Sequence, residues 1–144
     1  MTDSERDLGR RWFEEVWNKG RREAIDEMMA VNAVVHDGNS VSTGRDAFYQ
    51  FFDRMRSIFS DIHIDVQDLI AEGDKLCVRW SCTGKHAGSG LGIGPTGKTV
   101  TTTGISIIRV EGSRFAEAWQ NWDMLGIMEQ IKGVDRSSTY IAAA

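Results

Sequence analysis

The sequence predicts an α+β domain in which three N-terminal helices cover one face of a curved antiparallel sheet. Apolar residues recur at helical spacing through residues 8–59. From Asp61 onward they alternate with polar residues, which is the period of a strand. Helices followed by a meander of long strands are typical of this fold class. Strong curvature of such a sheet leads us to expect a cone-shaped pocket between the sheet and the helices.

The helical part contains three apolar periodicities and one short strand. Residues 8–17 predict the first helix, which Gly20 ends, and residues 25–29 predict a short second helix. Residues 47–59 carry a wide apolar stripe and predict the third helix. Between the second and third helices, the run VVHDG predicts a short strand that carries His36.

The remainder of the chain predicts four long strands and a terminal helix. The turns are expected at Glu72–Asp74 and Glu111–Ser113, where glycine lies between polar residues. The predicted strands are 62–70, 76–86, 98–110 and 114–122, and the predicted helix is 124–131.

Length and charge limit the domain organisation and the classes of binding partner that we expect. A chain of 144 residues is expected to form one domain over residues 1–144, with its core at about 6–131 and a C-terminal tail at 132–144. The formal net charge is −4, so we expect neither nucleic acid nor a membrane as a partner. No secretory or membrane-spanning segment is evident, which makes the cytoplasm the expected location.

The segment GIGPTGKT, residues 92–99, matches the phosphate-loop pattern. That pattern requires a buried strand before the loop and a helix beginning at the lysine. Here a glycine-rich stretch precedes the segment, and VTTTG, a poor start for a helix, follows it. We therefore interpret residues 87–97 as a long loop between two antiparallel strands, without nucleotide binding.

Polar side chains on an apolar strand face predict a small-molecule site. His86 has the parity of Leu76, Val78 and Trp80. In the last strand one parity is shared by Phe115, Glu117, Trp119, Asn121 and Asp123. A face that mixes aromatic residues with carboxylates and an amide suits a largely apolar cavity with a few polar groups.

Asp123 has two interpretations that the sequence leaves open. Inside an apolar pocket its carboxyl group would be tuned for proton transfer near neutral pH. Alternatively, it precedes the terminal helix and could be that helix's N-cap. His36 and His86 could orient a substrate carbonyl or relay a proton, or could be hydrogen-bonded structural residues.

A metal site is not expected. His63, Asp65 and His86 imitate a two-histidine, one-carboxylate triad. However, His63 and Asp65 have the polar parity of their strand, whereas His86 has the apolar parity of its own. The histidines also lack zinc-ligand spacing.

Five segments of the chain resemble the SnoaL-like polyketide cyclase family, within the nuclear transport factor 2-like superfold: FEEVWNKG, VVHDG, FSDIHIDVQDLIAEGDKLCVRWSCTGKHAG, GIGPTGKTV and AEAWQNWDMLGIMEQI. The resemblance covers about residues 6–131. It implies a cone-shaped α+β barrel, usually a homodimer through the sheet, with a pocket for polycyclic or otherwise apolar molecules. It also implies that Asp123 is the general acid/base of an intramolecular aldol closure that uses no metal or organic cofactor, and that His36, His86 and Trp119 line the pocket.

The sequence thus supports two functional hypotheses. The first is a cofactor-free cyclase-type enzyme with Asp123, His86 and His36 as catalytic residues, for which related isomerisation, dehydration or epoxide hydrolysis stay open. Its expected substrate-binding residues are Trp119, Asn121, Trp80, Phe52 and Trp17. The second hypothesis is a non-catalytic small-molecule-binding or dimerisation module, in which Asp123 is only a helix cap.

Overall fold

The computed structural model describes residues 1–134, so most of the predicted tail, residues 135–144, lies outside the described part. Six strands form one sheet in the order β2-β1-β6-β5-β4-β3. The strands are β1 (Met29–Asp37), β2 (Ser40–Thr43), β3 (Phe59–Glu72), β4 (Lys75–His86), β5 (Thr99–Glu111) and β6 (Arg114–Trp122). The α-helices are α1 (Asp3–Arg11), α2 (Glu23–Met28), α3 (Arg45–Ile58) and α4 (Met124–Lys132). The predicted α+β class, with helices against a curved sheet, is confirmed.

The sheet differs from the prediction at its first two strands. In place of one short strand, β1 has nine residues and forms a hairpin with β2. Met29, predicted to end the second helix, is the first residue of β1, because the following AVNAVV run is rich in β-branched residues. β1 also pairs in parallel with β6, whereas the other neighbours are antiparallel.

The first predicted helix consists of two segments. α1 begins at the N-cap Thr2, which forms a capping box with Glu5. A π-helical segment, Trp12–Asn18, follows. Asn18 anchors this segment to the sheet, because its Nδ2 donates to the Ile64 carbonyl at 2.9 Å and its Oδ1 accepts from the Ile64 N–H at 2.7 Å. The wider π-helical turn buries Trp12, Phe13, Val16 and Trp17 against the sheet.

Aromatic rings form the main core between the helices and the inner face of the sheet. The Trp12 ring lies 5.1 Å from Phe48 on α3 and 4.9 Å from Phe115 on β6. The Trp17 ring lies 5.3 Å from Phe52. Rings at these separations and tilts add to the free energy of burial, so the three elements are held at fixed distances from one another.

α4 closes one end of the sheet through a second apolar cluster, in which Ile127 and Ile131 pack with Phe59 and Val100. Gly133 ends the helix in a left-handed conformation, with φ 73°. The Lys98 ammonium donates to the Ile131 carbonyl at 3.0 Å, which places a positive charge at the negative end of the helix.

Residues 87–98 connect β4 and β5 without a regular element, and a strand begins at Thr99. The interpretation of GIGPTGKT as an inter-strand loop is therefore confirmed. Within residues 1–134, no helix has the length and apolar character needed to cross a bilayer.

Candidate active site

A cavity of about 120 Å³ lies between the helices and the inner face of the sheet. Its volume is close to that of an engineered cavity of about 150 Å³ that binds benzene. The cavity accommodates one small ring, or the reacting end of a larger molecule. Its lining is mostly apolar and includes nine aromatic residues: Trp12, Phe13, Trp17, Phe48, Phe51, Phe59, Trp80, Phe115 and Trp122.

A β-bulge in β6 decides which side chains of this strand face the cavity. Val110 of β5 pairs with Phe115, but the preceding residue, Arg109, pairs with Glu117, so β6 contains one extra residue. Phe115 faces the core, and beyond the bulge Ala118, Gln120 and Trp122 line the cavity. The prediction that Phe115, Glu117, Trp119, Asn121 and Asp123 share one face is therefore wrong, because the bulge exchanges the two faces.

Three polar residues lie side by side on the inner face of β5, β6 and β1. Ser106 is paired with Gln120, and Gln120 is paired with Asp37, so their side chains share one face. We call Ser106, Gln120 and Asp37 the inner polar row. Gln120 Nε2 donates to Asp37 Oδ2 at 3.2 Å. Sequence reasoning assigned none of these residues to the site.

An indole N–H binds each end of the inner polar row. Trp80 Nε1 donates to Ser106 Oγ at 3.1 Å, and Trp122 Nε1 donates to Asp37 Oδ1 at 3.2 Å. Ser106, Gln120 and both tryptophans line the cavity, and Asp37 binds two of them from the end of β1. The donors to the Asp37 carboxylate are thus neutral groups, and no salt bridge to Asp37 is formed within residues 1–134.

Asp123 is the N-cap of α4, and its Oδ1 accepts the Gly126 N–H at 2.9 Å. With Asn121 it borders a shallow depression on the outer face, together with Arg79 and Ile105. Neither Asp123 nor Asn121 lines the inner cavity. The structure therefore has the capping geometry that the sequence left open, and the catalytic role of Asp123 stays a prediction.

His86 is fully buried on the inner face at the end of β4. Its Nδ1 accepts the Thr96 backbone N–H at 3.2 Å and lies 3.0 Å from Thr96 Oγ1. These contacts, with the bond from Gly97 N–H to the His86 carbonyl, hold the 87–98 loop against the end of the strand. His86 does not line the cavity, and its expected role in catalysis stays a prediction.

His36 and Trp119 lie on the outer face, not in the cavity. Their rings stack at 5.2 Å with an interplanar angle of 3°. His36 Nε2 donates to Glu117 Oε2 at 2.7 Å, and this bond is the main reason why the pKa of Glu117 is below its usual value. Trp119 and Asn121, which were predicted to bind substrate, do not line the cavity, because beyond the bulge their parity is that of the outer face.

One register row on this outer face crosses all six strands. Ile70, Cys77, Ile107, Trp119, His36 and Val41 are successive partners from β3 to β2. We call these six residues the outer row. Ile70 is 65% exposed, Val41 is 62% exposed and Ile107 is 40% exposed, so this row forms an apolar stripe on the surface.

The three remaining predicted binding residues lie on the inner side. Trp17 and Trp80 line the cavity, whereas Phe52 is buried directly behind Trp17. Cys82 also lines the cavity, and burial raises the pKa of its thiol to about 11. Cys82 is therefore protonated near neutral pH and is a poor nucleophile.

His63 and Asp65 lie on the surface, where His63 Nε2 is 3.0 Å from Asp65 Oδ1. His86, in contrast, is fully buried on the inner face of the sheet. Within the described 134 residues, no group of three histidine, cysteine or carboxylate side chains has a geometry suited to a metal ion.

The comparison with protein families matches residues 8–131 to the SnoaL-like polyketide cyclase model. A candidate polyketide cyclase of Acidithiobacillus ferrooxidans has a similar structure, with a TM-score of 0.83 and 26% identity over 94% of this chain and 99% of that one. IdmH of Streptomyces antibioticus, a candidate polyketide cyclase, has a TM-score of 0.78 and 25% identity, over 90% of this chain and 99% of that one.

A more distant structure supports the fold alone. A Catenulispora acidiphila protein with a ketosteroid isomerase-like fold has a TM-score of 0.73 at 13% identity, covering 94% of this chain and 97% of its own. None of the curated proteins matches the chain in sequence.

Proposed function

Because the chain belongs to the SnoaL-like polyketide cyclase family, we propose that it is a cyclase-type enzyme acting on an apolar, carbonyl-containing small molecule. In this proposal, acid/base groups of the protein perform an intramolecular aldol closure, or a related isomerisation, without a cofactor. The observation that carries the proposal is the inner polar row, in which Ser106 and Gln120 line a largely apolar cavity and Asp37 binds Gln120.

Asp37 is the proposed base. Its carboxylate is 3.2 Å from both Gln120 Nε2 and Trp122 Nε1, and these two side chains line the cavity. Asp37 itself does not line the cavity, so in this proposal the substrate carbon enters between Trp122 and Gln120 to reach the carboxylate. The neutral N–H donors fix the orientation of the carboxylate without cancelling its charge.

The proposed reaction needs only a proton acceptor and fixed hydrogen-bond donors. Asp37 takes the proton from a carbon beside a carbonyl group, and the resulting enolate carbon forms a bond to a second carbonyl carbon of the same molecule. The alkoxide formed there takes the proton back from Asp37, so atoms and charge balance without an added reagent. The apolar walls exclude water, which would otherwise compete as proton donor.

Asp123 is the alternative base that the family resemblance favours. Its carboxylate accepts a backbone N–H of α4 and lies beside the outer depression, so a substrate in the inner cavity would not reach it without a rearrangement of α4. If Asp37 is the base, the reaction takes place in the inner cavity. If Asp123 is the base, it takes place at the outer depression.

Exchange of the methyl protons of acetophenone for deuterium, followed by NMR, tests the proposal without knowledge of the natural substrate. We expect the wild-type protein to accelerate exchange, Asp37→Asn to abolish the acceleration, and Asp123→Asn to retain it. Asp65→Asn, at an exposed carboxylate outside both sites, is the control. Loss in Asp123→Asn alone would identify Asp123 as the base, and no acceleration by the wild-type protein would refute the enzymatic proposal.

A second candidate is a non-catalytic ligand-binding module that dimerises through its sheet. The outer row favours it, because a contiguous apolar stripe with a stacked tryptophan is typical of a protein interface. We propose a homodimer through this face for both candidates. Binding of acetophenone without exchange would favour the module over the enzyme.

A further inference from the structure

Ser106 presents a hydrogen-bond donor to the cavity that the protein itself does not use. Its side chain is buried, with 4% of the residue exposed, and lines the cavity. The Oγ atom accepts the Trp80 Nε1–H at 3.1 Å. A serine hydroxyl has one hydrogen to donate besides its acceptor lone pairs. Within residues 1–134, that hydrogen has no acceptor in the protein.

Gly104 fixes the indole ring that binds Ser106. Trp80 is paired with Gly104 across β4 and β5, and Ser106 follows two residues later on the same face. A Cβ atom at position 104 would lie 2.2 Å from Trp80 Cζ2. Only glycine therefore lets the indole lie across β5 and direct its N–H along the strand to Ser106 Oγ.

Trp80 can only donate, so it occupies an acceptor position of the hydroxyl and leaves the hydroxyl hydrogen free to turn. A hydroxyl that accepts one hydrogen bond is a stronger donor in the next, because successive hydrogen bonds polarise each other. An unused donor in an apolar cavity costs free energy, and a ligand with an acceptor atom removes that cost.

We propose that Ser106, held by Trp80, is a subsite that binds the acceptor oxygen of a neutral ring compound, in the first place a ketone. The cavity volume of about 120 Å³ limits the buried part of the ligand to about one ring. Glu117 is the only formally charged residue that lines the cavity within the described chain, so no cation there would compensate an anionic ligand. As the substrate carbonyl's subsite, this inference rests on the proposed function, whereas ligand binding can be measured without catalysis.

Two probes of the same shape test the subsite. Acetophenone carries a ketone oxygen, whereas α-methylstyrene carries a methylene group in its place. Titration of ¹⁵N-labelled protein, followed by NMR shifts, gives both dissociation constants. We expect the wild-type protein to bind acetophenone about three- to tenfold more tightly than α-methylstyrene, which is the usual range for one hydrogen bond.

Ser106→Ala should remove this preference and leave the affinity for α-methylstyrene nearly unchanged, since the substitution deletes a single oxygen atom. Thr102→Val is the matched variant, because Thr102 also lines the cavity but its Oγ1 already donates to the Asp123 carbonyl at 3.1 Å. We expect it to keep the preference. The Trp80 indole N–H signal gives a second readout, and it should shift with acetophenone in the wild-type protein.

Equal affinity of the wild-type protein for both probes, or an unchanged preference in Ser106→Ala, would overturn the subsite. Its failure and that of the enzymatic proposal are distinguishable. A preference for acetophenone without proton exchange would retain the subsite and refute the enzyme. Proton exchange without a preference would retain the enzyme and refute the subsite.

Discussion

Gln120 lies directly opposite Asp37 in the parallel pairing of β6 and β1, and its Nε2 is 3.2 Å from Asp37 Oδ2. The contact depends on the bulge between Phe115 and Glu117, because without the extra residue Gln120 would face the outside of the sheet. The same bulge directs Trp119 outward, where its ring stacks on that of His36 from β1. One inserted residue thus separates a polar site inside the cavity from an apolar stripe outside it.

Gly104→Ala should destabilise the protein. The added methyl group would overlap the Trp80 ring, which has little room to move because it is buried in the aromatic core. We expect a loss of about 1–3 kcal/mol in the free energy of unfolding, measured by urea denaturation. Gly94→Ala is the control, since no atom lies within 4 Å of a Cβ there. Equal stability of the two variants would contradict the close packing of Trp80.

The bulge also shows what the sequence could not reveal. In FAEAWQNW both parities carry aromatic residues, so period-two reasoning has no means of detecting an extra residue. The positions and turns of β3, β4 and β5 were predicted, and β4 and β5 have a clear apolar parity. In β3 a bulge between Val66 and Asp68 reverses the parity and places Ile70 on the outer face, which the sequence did not reveal. The polar character of Ser106 within the apolar parity of β5 was the available signal for the site.

The parallel pairing of β1 with β6 is a second feature that could not be predicted from the sequence. It brings Asp37 beside Gln120, 83 residues later in the chain, and no local pattern encodes a contact of that range. The aromatic contacts of Trp17 and Trp80 were predictable, because they need only the amphipathic parity of one element.

Acidification should remove the contribution of Glu117 to stability. The His36 hydrogen bond lowers the pKa of Glu117 in the folded state, so folding favours its ionised form. That contribution is present above the usual glutamate value of about 4.3 and is lost as the pH falls through the lowered pKa. Urea midpoints measured from about pH 7 to about pH 3 should therefore fall more steeply in the wild-type protein than in Glu117→Gln. Parallel curves would refute the lowered pKa of Glu117. Glu72→Gln, at the exposed last residue of β3, serves as the control.

Cys82 should resist alkylation in the folded protein. Burial raises its pKa to about 11, so little thiolate exists near neutral pH. In the Cys77→Ser background, which leaves Cys82 as the one thiol, we expect slow reaction with iodoacetamide and rapid reaction after unfolding in urea. Mass spectrometry follows the labelling. Rapid labelling of the folded variant would show that the Cys82 thiol is accessible to the reagent and ionises readily, which would contradict this account.

Ile107→Asp should convert the proposed dimer into a monomer, because it places a charge in the middle of the outer row. Sedimentation velocity distinguishes the two states. Val31→Asp is the matched control, since Val31 is 69% exposed but lies outside the row. A wild-type protein that sediments as a monomer, or a Val31→Asp variant that dissociates equally, would count against the outer row as the interface.

A crystal structure of the protein with bound acetophenone tests the central claim most directly, since it locates the ligand relative to both aspartates. We expect the ketone oxygen at about 2.8 Å from Ser106 Oγ, and the methyl carbon beside Gln120 and Trp122, the two lining residues that bind the Asp37 carboxylate. Acetophenone bound instead in the outer depression beside Asp123 would contradict the inner polar row as the active site.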